Sequence, residues 1–179
     1  MARIPLVTAA EADADTTAAF AAVKAKLGVV PNLFATFARA PALMKAYFGF
    51  SEALAGGRLT TRQREVIALA VAQANNCQYC LSAHTVLGKG AGLSDAEVLG
   101  ARAGAGGDAF EAALAVLAIK ISNQRGAISD ADLATARAAG IDDGLALEVV
   151  GNVILNLLTN YTNHVAGTDI DFPAVSTTL

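Results

Sequence analysis

Two stretches of this chain carry no formal charge, Val66 to Gly88 and Val149 to Thr168. Runs of that length without Asp, Glu, Lys or Arg belong either in a bilayer or in a protein core. Both are studded with Asn, Gln or His, where a membrane span needs side chains compatible with hydrocarbon. They read as buried helices around which the rest of the chain must pack, so the fold class they impose is all-α.

At 179 residues the chain is long enough to bury a real core, and it reads as a single domain, 1–179, with an N-terminal arm over residues 1 to 14. Hydrophobic residues make up 54%, and the mean hydropathy is +0.46. That is high for a soluble monomer, so part of the apolar surface is expected in subunit contacts of a homo-oligomer. A net charge of −3 provides no basic stripe for phosphates, and 6% aromatics form no interleaved stacking platform, which argues against nucleic acid. Glu11, Asp13 and Asp15 interrupt the N-terminal region before any secretory apolar run develops, so a cytoplasmic location is expected.

The chain shows no period-two alternation, and its punctuation is that of successive helices. Thr16 or Thr17 is expected to cap a helix running to Leu27, ended by Gly28. Asn32 caps a short helix to Ala38, and Pro41 suits the first turn of the next, which Gly56-Gly57 stops. Thr60 with Gln63, and Ser94 with Glu97, stand at capping-box spacing. Asn75-Asn76 breaks the helix that Thr60 opens, and the following one ends around Gly88 to Gly92. Asp108 starts a long apolar helix through Ile121, Ser129 or Asp130 one to Ala139, and Asp142-Asp143 the last, roughly 144 to 165. The tail from Gly167 is expected to be irregular.

Within this frame, Cys77-Gln78-Tyr79-Cys80-Leu81-Ser82-Ala83-His84 holds both cysteines and one of the two histidines. On a helix, positions 77, 80 and 84 fall within about 60° of one another, so two thiols and an imidazole share a face. In a reducing compartment such a pair is seldom a structural staple, which leaves redox catalysis or metal binding. A thiolate is the reactive form. If the break at Asn75-Asn76 precedes a new helix, both cysteines sit in its first turn, where free N–H groups and the dipole favour an anion. His84 is then placed to take the thiol proton directly or through a water. In one continuous helix Glu65 would lie about 18 Å from Cys77, but a reversal at 75–76 would set it level with His84. Glu65 is thus the candidate to orient the imidazole; otherwise it is a surface carboxylate paired with Arg62 or Arg64.

Glu65, eleven residues, Cys77, two residues, Cys80, three residues and His84 together resemble the signature of AhpD-like alkylhydroperoxidases, within the carboxymuconolactone decarboxylase superfamily. The core of the resemblance covers about residues 40 to 105. The closing Asn160-Tyr161-Thr162-Asn163-His164 through Asp171-Phe172-Pro173 resembles the tail of peroxidase-related members. The resemblance implies an AhpD-like helical fold, assembly as trimers or hexamers, and thiol-dependent reduction of organic hydroperoxides or hydrogen peroxide. It makes Cys80 the attacking thiol, Cys77 the resolving thiol, and Glu65 with His84 the proton relay. It further implies a dithiol reductant, lipoyl-bearing or thioredoxin-like, and no bound cofactor.

A reading from another class is zinc, because Cys77, Cys80, His84 and His164 make up a Cys₂His₂ inventory. A chain with ample core has less need of such a site, and His164, alone in the last helix, reads as a packing or surface histidine. A structural oligomer without peroxidase activity is the third reading. Asn152, Asn156, Asn160 and His164 recur every four residues, a stripe that either lines a pocket or hydrogen-bonds across helices. Tyr79 either packs beneath the site or closes its mouth.

Overall fold

A computed structural model describes residues 2–179. Among them the chain forms nine helices and no strand, in the AhpD-like all-α arrangement expected: α1 (Ala14–Leu27), α2 (Asn32–Phe37), α3 (Pro41–Ala55), α4 (Thr61–Ala74), α5 (Gln78–Gly90), α6 (Asp95–Arg102), α7 (Ala109–Gln124), α8 (Asp130–Ala138) and α9 (Asp143–Ala166). No helix among these residues is long and apolar enough to cross a membrane.

α4 is the central element and packs against α5, α6, α7 and α9. Its start follows from Thr60, whose hydroxyl accepts from Gln63 N while Gln63 Oε1 accepts from Thr60 N at 2.9 Å. From Val66 to Ala72 every residue is buried, which is how a helix apolar on all sides behaves. Leu59, Leu69, Leu114, Val149 and Val153 are among those closing the larger core, between α4, α7 and α9. Each such side chain contributes about 1.5–3 kcal/mol by leaving water. Arg62 ties the outer rim of this core together. Its guanidinium donates to Glu111 at 2.7 Å, Glu97 at 2.6 Å and the Gly92 carbonyl at 2.6 Å, so it is not a partner of Glu65.

The break at Asn75-Asn76 is a Schellman-type stop. Asn76 takes the left-handed conformation (φ 54°), Cys77 N donates to Ala72 O at 2.9 Å, and Asn76 N to Gln73 O at 3.0 Å. Asn supplies the turn that glycine usually does, and α5 doubles back along α4. Close approach at the far end of the pair depends on Gly88, where a Cβ would lie 2.9 Å from Leu93 Cδ1 and 3.8 Å from Glu65 Cβ.

Two cap expectations shift. Asp13, not Thr16 or Thr17, caps α1, its carboxylate accepting from Thr16 N at 2.8 Å, because an ionised acceptor at the positive helix end outcompetes a hydroxyl. Asn32 does not cap α2; it is that helix's first residue, after Pro31, and its amide donates instead to the Asp169 carbonyl at 2.9 Å. α7 also runs three residues past Ile121, to the left-handed Arg125.

The tail is irregular, as expected, yet pinned. Gln78 donates to Val175 O at 3.0 Å, Gln73 to Thr177 O at 2.8 Å, and the buried Arg102 to Ser176 O at 2.8 Å. It therefore lies across the start of α5, and Ile170, Phe172 and Val175 pack on the smaller core, which contains both cysteines.

Candidate active site

Cys77 is itself the N-cap of α5. Its Sγ accepts from Cys80 N at 3.4 Å, the position where a side-chain acceptor satisfies an orphan helix donor. One turn on, Cys80 brings its Sγ to 2.6 Å from that of Cys77. Both are free thiols and both are buried, Cys77 at 0% and Cys80 at 2% exposure. Only Cys80 lines the adjoining cavity, of about 310 Å³.

α4 and α5 place Glu65 and His84 face to face, Nδ1 to Oε2 at 2.8 Å, with both side chains largely sheltered. The antiparallel turn does bring these two residues level. Burial pulls the imidazole's pKa down, but the charge and hydrogen bond of Glu65, with Cys77, outweigh it, and the net shift is upward. No hydrogen bond joins His84 to either sulfur among the described residues; the imidazole and Cys80 share the wall of the same cavity.

The thiols titrate as a pair. The Cys77 pKa is lowered, chiefly by its hydrogen bond with Cys80, then by the Cys80 N–H and the nearby imidazole. That of Cys80 is raised by burial and by Cys77. Physically, the pair gives up one proton readily and holds the second, because two anions in contact in a dry site repel. Asn163 favours the ionised form of each sulfur.

Sequence reasoning gave Asn163 and Thr159 no place in the site. Asn163 Nδ2 donates to Cys80 Sγ at 3.3 Å. The four-residue stripe explains the miss, since each step of four turns a helix by about 40° and the pattern drifts off its own face. Asn152 and Asn156 do line the cavity, but the face continues through Thr159 and Asn163, within about 20° of Asn152. Asn160 is buried outside the cavity lining, and His164 is exposed. The steps 4, 7 and 11 were the available signal.

With His164 on the outside, the Cys₂His₂ set is not assembled. No three His, Cys, Asp or Glu side chains among the described residues gather at metal-binding distance.

The remaining cavity wall is mostly apolar, with Phe34, Tyr47, Tyr79 and Phe172 converging from α2, α3, α5 and the tail among aliphatic side chains, and Ser51, Thr61 and Arg64 as its polar members. Tyr79 is a buried wall that does not close the mouth: its hydroxyl accepts from Leu33 N at 3.1 Å, and its ring meets Phe172 edge-on at 5.7 Å. Tyr47 is half-buried in the same cluster, and desolvation of its phenol pushes the pKa up to about 12.

No curated protein matches the chain in sequence. Among solved structures, the chain is similar to an alkylhydroperoxidase AhpD core, an uncharacterized peroxidase-related protein from Ralstonia eutropha, at 26% identity and a TM-score of 0.86, with 95% of this chain and 92% of that one covered. A peroxidase-related protein from Silicibacter follows at 22% identity and a TM-score of 0.81, covering 93% and 88%. The debrominase Bmp8, solved as a cysteine-to-alanine variant in complex with 2,3,4-tribromopyrrole, shares the fold at 17% identity and a TM-score of 0.80, covering 94% and 91%. Residues 41–120, which hold the Glu65–His84 pair and both thiols, match the model of the carboxymuconolactone decarboxylase family, and the chain as a whole has the AhpD-like fold.

Proposed function

We propose that this protein is a thiol-dependent peroxidase acting on organic hydroperoxides or hydrogen peroxide. The observation that carries the reading is a buried vicinal thiol pair and a Glu65-held imidazole around one cavity. Cys80, as thiolate, attacks the outer oxygen of ROOH, and the O–O bond breaks. Sulfur keeps the OH as a sulfenic acid, and the alkoxide takes a proton from the His84 imidazolium to leave as alcohol. The Cys77 thiol then attacks Cys80 Sγ; the S–S bond forms and hydroxide departs with the Cys77 proton as water. The pair has lost two electrons, which a dithiol protein, lipoyl-bearing or thioredoxin-like, must return with two protons. Such a cycle suits a reducing cytoplasm.

Subunit assembly, as a trimer or hexamer, is part of the same reading. Leu147, Ile154, Tyr161 and Val165 stand exposed along α9, an apolar face that supports contacts between copies.

The test counts thiols before and after one equivalent of cumene hydroperoxide, with the alcohol measured alongside, in wild type and Cys80→Ser. Two thiols should disappear per alcohol formed, and the variant should do neither. Wild-type thiols that survive the peroxide would defeat the proposal.

The aromatic wall also favours a flat ring, and the same two electrons delivered to a carbon–halogen bond would give arene, halide and the same disulfide. Halide release from a bromopyrrole, without alcohol from the hydroperoxide, would select that second reading.

A further inference from the structure

Three polar side chains on the cavity face of α9 direct their donors back to the helix. Asn152 Nδ2 donates to Glu148 O at 2.8 Å, Asn156 Nδ2 to Asn152 O at 2.8 Å, and the Thr159 hydroxyl to Asn156 O at 2.9 Å. Asn163 breaks the pattern. It is 4% exposed, and its Nδ2 crosses to Cys80 Sγ, 83 residues away in the chain, at 3.3 Å. Its Oδ1 is buried with no partner. An amide kept only to steady the helix would bond its own backbone as its neighbours do. Asn163 instead leaves a polar atom unsatisfied, an arrangement native proteins seldom keep without a functional reason.

The contact matters because the pair holds one charge that either sulfur can carry. At Cys77 the anion is favoured by the Cys80 N–H at 3.4 Å and the start of α5, but that sulfur is sealed from the cavity. At Cys80 the anion meets the cavity, and the side-chain amide that donates to it is that of Asn163.

We propose that Asn163 is a catalytic residue: by donating to Cys80 Sγ it stabilises negative charge on the sulfur that substrate can reach, against the Cys80 N–H and helix start that favour the charge at Cys77. Without it, the charge stays on Cys77, and the cavity faces a protonated, unreactive thiol. The inference deepens the peroxidase reading by assigning what selects the attacking sulfur, and it is tested without peroxide.

Iodoacetamide is the probe, since a thiolate displaces its iodide and peptide mapping reports which sulfur was alkylated. In the full-length wild type, Cys80 is alkylated well ahead of Cys77 at neutral pH. In Asn163→Leu, the pH midpoint for Cys80 alkylation rises by about one unit, its rate at neutral pH falls about tenfold, and the Cys80-to-Cys77 ratio drops. Asn163→Asp, close in shape but without the donor and carrying a like charge, moves the midpoint further the same way and serves alone if the leucine variant does not fold. A folded variant whose midpoint and ratio match wild type overturns the inference. Wild type that alkylates at Cys80 yet is inert to hydroperoxide loses the peroxidase reading and retains this one.

Discussion

α9 has two buried sides, and burial does not tell them apart. Toward α4 and α7 it presents Leu145, Val149 and Val153, each 5% exposed or less; toward the cavity it presents Asn152 and Asn156 at 2% and 7%. The first side is satisfied by contact alone. The second must find a partner for every donor and acceptor, and at Asn163 Oδ1 it fails to. Apolar packing is indifferent to what the surface does chemically, whereas a buried amide row positions specific atoms at some loss of stability. One side therefore holds the fold, and the other holds the sulfur that faces the cavity.

Several substitutions should separate these roles. Leu69→Ala, fully buried in the larger core, is expected to cost about 2–5 kcal/mol in denaturant unfolding while the folded fraction keeps its thiol reactivity. Leu155→Ala, on the cavity wall, should cost less than half as much and act on the hydroperoxide KM instead. Equal stability losses at the two sites would erase the contrast.

Glu65→Gln should do the reverse of Leu69→Ala. Peroxide reduction should fall by about ten- to a hundredfold, with unfolding changed by about 1 kcal/mol or less. The folded His84 pKa lies above its ordinary value, so this pair's contribution to stability is fully present below the unfolded histidine value of about 6.5 and is lost as pH rises through the raised value. The stability gap between wild type and Glu65→Gln should accordingly close from neutral toward alkaline pH. A gap that widens would mean the imidazole is not held as imidazolium.

Gly106→Ala tests the rim of the larger core, since a Cβ there would run into the backbone at Glu111 and Ala112. A loss of about 1–3 kcal/mol is expected, read as a lower melting temperature with unchanged thiol chemistry.

Acid should weaken the same structural side. Glu97 and Asp132 complete capping boxes, Asp142 caps α9, and hydrogen bonds and cationic partners hold each near a pKa of about 2. Folded values below the unfolded ones mean that their contribution is present above the ordinary carboxylate range and lost as pH falls from about 4 toward 2. Glu97→Gln should flatten that fall in unfolding curves.

The smallest effect should come from Gly90→Ala, at the end of α5, where nothing lies within 4 Å of an added Cβ and φ is ordinary; a gain of a few tenths of a kcal/mol is expected, about what helix propensity allows.

The helices were legible because their ends are local. Thr60 with Gln63, Ser94 with Glu97 and the Asn75-Asn76 stop each act within a few residues, and the antiparallel step that sets Glu65 against His84 follows from the last of these. The caps of α1 and α2 were less legible: Asp13 competes with Thr16 and Thr17 for the first and wins locally, while Asn32 is drawn away from the second by the distant tail at Asp169. The amide face of α9 was half legible, since Asn152 and Asn156 lie on it and a fixed step of four then leaves it.

The sequence by itself determined an all-helical chain, a vicinal thiol pair at the start of a helix, and a carboxylate one turnaround away from its histidine, because hydrogen bonds and spacing of a few residues suffice for each. The tertiary structure alone decided that Cys80 faces the cavity while Cys77 is sealed, that Asn163 reaches Cys80 across 83 residues, and that Phe172 of the tail completes the wall. Those contacts depend on how separate helices pack, and no periodicity within one helix encodes the distance to another.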